Sequence, residues 1–229
     1  MTVSVIIATF NERENIEEMI KRIRANIEQA EIIVVDDNSP DKTWEIAQSL
    51  DVKVIRRNDK GLASAILRGI IESTGDIICW WDADMLMCPK IAKNMIPLLK
   101  DYDIIIGSRY VLGGRDDRAL SRVIPSILVN TLANTVLGYG IKDYDSGFIV
   151  MRKTALDTVL PIPIGFGEYF IEFIYSAAKR GLHIFEYPYI LTDRATGTSK
   201  STTSPHSFIK TGLQYCIRIF TAVAREEFE

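Results

Sequence analysis

Short apolar runs alternate with amphipathic stretches through the first half of the chain. The runs are rich in β-branched side chains, which is typical of strands that are buried on both faces of a parallel sheet. They predict strands at residues 3–8, 32–35, 52–55, 77–81 and 104–106. Between them, a capping-box-like pair, Asn11 and Glu14, predicts one helix start, and Ser39-Pro40-Asp41 predicts another. Strands that alternate with helices imply βαβ units and an α/β fold.

The regular alternation of predicted strands and helices ends after Gly107. Helices are predicted at 121–137, 168–180 and 208–226, and strands at 146–151 and 183–187. The segment from Ala195 to Ser207 is rich in Thr, Ser and Gly and predicts a mobile loop. No internal repeat or linker composition interrupts residues 1–229, so we expect a single domain.

Composition excludes some classes of function. The chain has a net charge of −3, which does not favour nucleic-acid binding. The charge is uneven, since residues 1–106 hold 13 Lys and Arg against 18 Asp and Glu, whereas residues 107–229 hold 14 against 12. An anionic partner is therefore expected to bind the second half.

Localisation signals are also weak. Cys79, Cys88 and Cys216 lack C-x-x-C spacing, which favours free thiols in a reducing compartment. No signal peptide and no run of 18 uncharged apolar residues is recognised, so a cytoplasmic protein without a transmembrane helix is expected.

The strongest chemical feature is a pair of carboxylates, Asp82 and Asp84, directly after the strand at 77–81. Asp36 and Asp37 follow the strand at 32–35 in the same way. Ligands of open α/β sheets bind at the carboxyl ends of the strands, where carboxylates can hold a divalent cation. The alternative is a solvated acidic turn. Neither G-x-G-x-x-G nor a G-x-x-x-x-G-K-[ST] phosphate loop is present.

Seven short blocks resemble a known family in order and spacing. Four of them match family 2 glycosyltransferases, at 5–12, 34–41, 60–62 and 82–84. Three later blocks, at 107–110, 146–148 and 194–200, are similar to the polyprenyl-phosphate sugar synthases, of which dolichyl-phosphate mannose synthase is the best-known type.

The resemblance implies an A-type glycosyltransferase fold, Rossmann-like, with a mainly parallel mixed sheet flanked by helices. It implies an inverting enzyme that uses Mg²⁺ or Mn²⁺ to move a sugar from a nucleoside diphosphate to a polyprenyl or dolichyl phosphate. GDP-mannose is the first choice of donor, ahead of UDP-glucose and UDP-N-acetylglucosamine. Residues 1–106 would then bind the nucleotide, and residues 107–229 would bind the acceptor.

The family also implies a set of donor-binding residues. Glu12 and Asp37 match positions that contact the nucleoside, although a helix-capping acid and a turn acid are the alternatives. The complete donor set is Ala8, Phe10, Glu12, Val35, Asp37, Asp82, Ala83 and Asp84. Phe10 offers an aromatic face for stacking.

Asp82 and Asp84 match the metal and diphosphate motif of the family, and Asp84 is also a predicted catalytic residue. The family often has a polar residue where this chain has Leu86. That departure removes one possible ligand and leaves the other metal ligands to water and the diphosphate.

Arg109, Arg194 and Lys200 are the candidate ligands of the acceptor phosphate, and the two arginines are also predicted to be catalytic. Arginine presents a planar fork that matches phosphate oxygens, and lysine adds a compact charge. The alternative is a set of solvated surface cations. Asp145 is also assigned to the acceptor side. An equally plausible alternative is a structural role, in which it ends a helix before a strand edge.

Two helix-like stretches bear on the lipid, at 124–137 and 208–223. The second mixes basic and apolar residues, which favours a peripheral enzyme on the cytoplasmic face of a membrane. Packing of the apolar face on the domain is the alternative, and a separate membrane-anchoring subunit stays open. Two other functions also stay open. These are transfer to a hydroxyl acceptor and, because of Leu86, nucleotide-sugar binding without catalysis.

Overall fold

Strands and helices alternate through the first half of the chain, as predicted. The computed structural model describes the backbone of residues 1–192 and 205–226 and the side chains of residues 1–192 and 211–225. The first nine elements are β1 (Val3–Thr9), α1 (Ile16–Asn26), β2 (Glu31–Asp36), α2 (Thr43–Ser49), β3 (Lys53–Arg56), α3 (Leu62–Glu72), β4 (Ile77–Trp80), α4 (Cys88–Met95) and β5 (Ile104–Ser108). They are followed by β6 (Arg115–Asp116), α5 (Leu120–Leu137), β7 (Ile149–Arg152), α6 (Tyr169–Lys179), β8 (Ile184–Pro188), β9 (Ile190–Leu191) and α7 (Pro205–Glu226).

The main sheet has the strand order β3-β2-β1-β4-β7-β5-β8. Only β7 runs antiparallel to its neighbours in the part of this sheet that is described, and it lies between β4 and β5. The prediction of a mainly parallel mixed sheet is confirmed. Because β7 and β8 come from the second half of the chain, both halves share one sheet. A separate small sheet pairs β6 with β9.

Side-chain alternation along the buried strands sends large residues to both faces of the sheet. Ile6 and Trp80 pack on one face, against α3, α5, α6 and α7. Ile7 and Trp81 pack on the other, against α1 and α4. A glycine allows α3 to pack close to β1, since a Cβ on Gly69 of α3 would lie 2.3 Å from Cγ2 of Ile6.

The first two helices begin later than predicted. The N-cap of α1 is Asn15, whereas Asn11 has a φ of 56°, so the predicted capping box at Asn11 is wrong. Helix α2 begins at Thr43, and Asp41 accepts hydrogen bonds from its N–H (3.0 Å) and its hydroxyl (2.6 Å). The Thr43 hydroxyl also accepts from the N–H of Glu12 at 2.9 Å. Such bonds hold the two loops in a non-helical conformation.

Helices α5 and α7 pack against each other at the end of the fold. Within the described part of the chain, α5 alone is long and apolar enough to cross a membrane, judged by length and composition. The sequence analysis predicted no such helix, because Arg122 interrupts the apolar run. Helix α7 begins at Pro205, three residues before the predicted start.

Candidate active site

A cavity of about 280 Å³ lies beside the carboxyl end of β4. Its walls come from both halves of the chain. Four of the predicted site residues line it, namely Asp82, Asp84, Arg109 and Asp145. The structure therefore brings together the predicted metal pair and part of the predicted acceptor site, because the carboxyl ends of β4 and β5 and the start of the antiparallel β7 lie at one edge of the sheet.

Asp82 and Asp84 lie in the turn that follows β4. Asp82 is exposed and Asp84 is half-buried, and the turn is closed by backbone hydrogen bonds from Met85 to Asp82 (3.0 Å) and from Leu86 to Asp84 (2.9 Å). Within the described residues no group of three or more His, Cys, Asp or Glu side chains could hold a metal. Two carboxylates that open into a cavity suit Mg²⁺, which keeps water and phosphate oxygens in its shell. The residues present thus fit the cation that the family implies.

The predicted nucleoside contacts lie farther along the same edge, at the ends of β1 and β2. Both oxygens of Asp37 are engaged, one by the Arg57 guanidinium at 2.6 Å and one by the N–H of Gly61 at 2.8 Å. The Lys60 ammonium lies 4.2 Å from the centre of the Phe10 ring.

The other predicted donor residues lie on or shortly after β1, β2 and β4. Ala8 and Val35 are paired in register on neighbouring strands, and Ala83 is buried in the turn after β4. Glu12 is buried and accepts a hydrogen bond from the Asn15 side chain at 2.8 Å.

Arg109, which follows β5, is buried and surrounded by three carboxylates. Its backbone N–H and Nε both donate to Oδ2 of Asp143 at 2.8 Å, and Nη2 donates to Oδ1 at 2.5 Å. Nη2 also contacts Asp145, and Nη1 lies 3.5 Å from Asp116. Arg109 is thus not the solvated surface cation that was considered as an alternative. Arg109 instead ties the end of β5 to the segment that precedes β7.

Burial and charge act against each other in this cluster. Burial alone would lower the pKa of Arg109, but the charges of Asp143 and Asp145 outweigh it, so the pKa is raised. For Asp145, burial works to raise the pKa, but the Arg109 charge and a 2.7 Å hydrogen bond from Asn130 bring it below its ordinary value. Arg109 therefore stays cationic, and Asp145 is a weak base.

Two cations that the sequence analysis missed also line the cavity. Arg118 precedes α5 and donates to Asp116 at 2.6 Å, and Arg122 lies in the first turn of the helix. The positive end of the helix dipole disfavours a cation there, so an arginine in the first turn of an apolar helix was an available signal. Ser126, one turn later, lines the same cavity.

The remaining predicted acceptor ligands, Arg194 and Lys200, lie outside the described residues. The same holds for most of the predicted loop from Ala195 to Ser207. Their proposed contacts with the acceptor phosphate stay predictions.

Comparison with known proteins identifies related chains. The family model described as glycosyl transferase family 2 matches residues 4–160. A dolichol-phosphate mannosyltransferase of Pyrococcus furiosus is 43% identical over 215 residues, which are 87% of this chain and 59% of that protein's length. A polyprenol monophosphomannose synthase of Mycolicibacterium smegmatis is 33% identical over 214 residues, which are 87% of this chain and 81% of that protein.

Solved structures show the same fold at low sequence identity. A glucosyl-3-phosphoglycerate synthase from Mycobacterium tuberculosis, in complex with Mn²⁺, UDP and glucosyl-3-phosphoglycerate, is 20% identical with a TM-score of 0.74. The similarity covers 96% of this chain and 79% of that one. The same enzyme with Mg²⁺ and UDP is 19% identical with a TM-score of 0.74 over the same shares. The A-type glycosyltransferase fold is thereby confirmed.

Substitution of Arg109 separates a structural role from a role in ligand binding alone. We expect Arg109→Gln to lower the free energy of unfolding by about 3–5 kcal/mol, because it leaves buried carboxylates without their partner. Arg115→Gln is the matched control, since Arg115 forms an exposed pair with Asp117 and is expected to have little effect. Urea denaturation measures both variants. Equal urea midpoints for Arg109→Gln and wild type would show that Arg109 does not stabilise the fold.

Proposed function

The chain belongs to glycosyl transferase family 2, and from this premise we propose that it transfers a sugar from a nucleoside diphosphate to a polyprenyl phosphate. The observation that carries the proposal is the cavity in which Asp82 and Asp84 lie with Arg118 and Arg122. Carboxylates suit the cation of a sugar nucleotide, and arginines suit an anionic acceptor. Mannose is the proposed donor sugar, supported by the names of the two relatives, and GDP-mannose is proposed as the donor from the sequence resemblance.

Asp82 and Asp84 would hold Mg²⁺ or Mn²⁺ beside the diphosphate. The cation, when bound, supplies Lewis-acid stabilisation of the departing nucleoside diphosphate. The contacts of the donor with Ala8, Phe10, Glu12, Val35, Asp37 and Ala83 remain part of the proposal. Asp37 would reach the nucleoside while its Arg57 partner keeps its carboxylate oriented.

Arg118 and Arg122 would receive the acceptor phosphate, together with the Ser126 hydroxyl. Arg109 lines the same cavity and holds Asp145 in its wall, and its part as a ligand of the acceptor phosphate stays a proposal. Arg194 and Lys200 are proposed as further ligands of that phosphate, on the strength of the sequence resemblance. An oxygen of the phosphate attacks the anomeric carbon, the bond from that carbon to the diphosphate breaks, and the configuration inverts.

A phosphate acceptor fits the described residues of the cavity better than a hydroxyl acceptor does. A polyprenyl phosphate is already ionised near neutral pH, so positioning and charge neutralisation are enough. A hydroxyl acceptor would need a base, and Asp145 is unsuited because, although burial opposes it, the Arg109 charge and the hydrogen bonds together lower its pKa. The phosphate acceptor is therefore the better-supported proposal.

Transfer of labelled mannose from GDP-mannose tests the function. We expect wild type with Mn²⁺ to label dolichyl phosphate but not dolichol, and EDTA to stop the reaction. Asp84→Asn should lower turnover by at least about a hundredfold, because one charge leaves the metal site. Asp101→Asn, in an exposed pair with Lys100, is the control and should retain activity.

Three results would contradict the proposal. Equal labelling of dolichol would favour the hydroxyl acceptor. Unchanged turnover of Asp84→Asn would show that Asp82 and Asp84 do not bind the metal. Calorimetric donor binding without release of nucleoside diphosphate under any acceptor would favour a binding protein.

The acceptor site is tested with Arg122→Gln. We expect kcat/KM for dolichyl phosphate to fall by roughly 10–100-fold, which corresponds to a lost hydrogen bond between charged groups. The KM of the sugar nucleotide should stay unchanged. Arg68→Gln on the exposed side of α3 is the control. A loss that appears only in the donor KM would place the acceptor elsewhere.

An exposed apolar surface next to the cavity supports association with a membrane. Helix α5 presents four side chains that are at least 44% exposed, Leu120, Ile124, Ile127 and Leu128. Helix α7 adds Leu213, Ile217 and Phe220, which are at least 52% exposed. On this basis we propose that the enzyme associates with a membrane surface, and its cytoplasmic face is proposed from the sequence alone. A separate anchoring subunit is an alternative means of attachment.

Flotation with anionic liposomes tests this surface. We expect wild type to rise with the vesicles and the double variant Leu128→Ser, Phe220→Ser to remain largely at the bottom, because less apolar area enters the interface. Ile71→Ser is the control, since Ile71 is 68% exposed on α3. Failure of wild type to float would reject the membrane-surface proposal.

A further inference from the structure

A buried carboxylate outside the cavity joins α6 to α7. The side chain of Glu172 on α6 is 3% exposed. Its Oε2 accepts a hydrogen bond from Nη1 of Arg218 at 2.7 Å, and its Oε1 accepts from Nη1 of Arg225 at 2.6 Å. Both arginines belong to α7. A carboxylate is buried at this depth only with partners, so the position of α7 depends on this pair of contacts.

Arg218 also reaches the turn that leads into α6. Its Nη2 donates to the backbone carbonyl of Ile164 at 3.3 Å. The turn continues through Phe166 and Gly167, which both line the cavity. One guanidinium thus connects a buried carboxylate, the helix that carries the guanidinium and a segment of the cavity wall.

The first half of α7 supplies another part of that wall, through Thr211, Gly212 and Tyr215. The Tyr215 hydroxyl lies against Gly167, where an added Cβ would be only 2.0 Å from it. The turn and the helix therefore fit together without a gap. A shift of α7 along α6 would move both segments of the wall.

We propose that Glu172 is a positioning residue that sets the place of α7 and thereby shapes the acceptor side of the cavity. It does not line the cavity, and it acts through Arg218 and Arg225. The assignment to the acceptor rests on the proposed function, because α7 packs on α5, which carries Arg122 and Ser126. The assignment of α7 position to Glu172 rests on the contacts alone.

Thiol labelling tests the position of α7 without any enzyme assay. Cys216 on α7 is partly exposed, whereas Cys79 and Cys88 are buried. With Glu172→Gln we expect a maleimide to label Cys216 at least about tenfold faster, because α7 opens more often when its charged hydrogen bonds are lost. Cys79 and Cys88 should stay unlabelled, which mass spectrometry of the peptides verifies.

Glu72→Gln is the matched control. Glu72 also bridges two cations, Lys53 at 2.9 Å and Arg68 at 2.8 Å, but it lies at the far end of α3. It should leave the labelling rate of Cys216 unchanged. If Glu172→Gln labels Cys79 and Cys88 too, the fold has opened, and Arg225→Gln replaces it because Arg225 is 43% exposed. An unchanged rate at Cys216 in the folded variant overturns the proposal.

Kinetics test the second half of the inference. We expect Glu172→Gln to raise the KM of dolichyl phosphate about tenfold and to leave the dissociation constant of the sugar nucleotide unchanged. Glu172→Asp, which keeps the charge, should recover part of the loss. Faster labelling of Cys216 with an unchanged acceptor KM would overturn the link to the acceptor. An inactive wild type that still shows the labelling difference would reject the proposed function and keep the positioning of α7.

Discussion

The burial of one guanidinium among three carboxylates is the constraint on which the site depends. Arg109 comes from the end of β5, Asp143 and Asp145 precede β7, and Asp116 belongs to β6. An arginine that is almost inaccessible to water is stable only because its fork is filled on several sides. The cluster therefore fixes the end of the antiparallel strand β7 and the direction of the segment before it. Helix α5 is attached to the same cluster through Asn130, which donates to Asp145.

The cavity that results is lined by side chains of both charges. Asp82 and Asp84 follow β4, Arg118 precedes α5, and Arg122 lies in the first turn of that helix. In the proposed reaction two anionic substrates would meet, and their repulsion would be strong where water is scarce. A cation held by the carboxylates for one substrate, and guanidinium groups that face the other, would remove that repulsion without a proton transfer. This is why the geometry suits a phosphate acceptor.

The packing of α5 and α7 serves the cavity on the inside and leaves apolar side chains on the outside. Glu172 joins α7 to α6, and Arg218 joins the same helix to the turn before α6. A lipid-linked acceptor would need both properties at once, a polar cavity for its phosphate and an apolar surface for its chain. The two helices provide them side by side.

The amino-acid sequence was sufficient for the alternation of strands and helices, the mainly parallel sheet and the placement of Asp82 and Asp84 at a strand end, because these follow from local hydrophobic periodicity. It was not sufficient for the start of α1, where the hydroxyl of Thr43, the first residue of α2, stabilises a turn in place of a helix. Nor did it reveal the partners of Arg109, which are 7, 34 and 36 residues away, or those of Glu172, which are 46 and 53 residues away. Whether an arginine reaches a ligand or a buried carboxylate depends on which segments the fold brings together, and no local pattern carries that information.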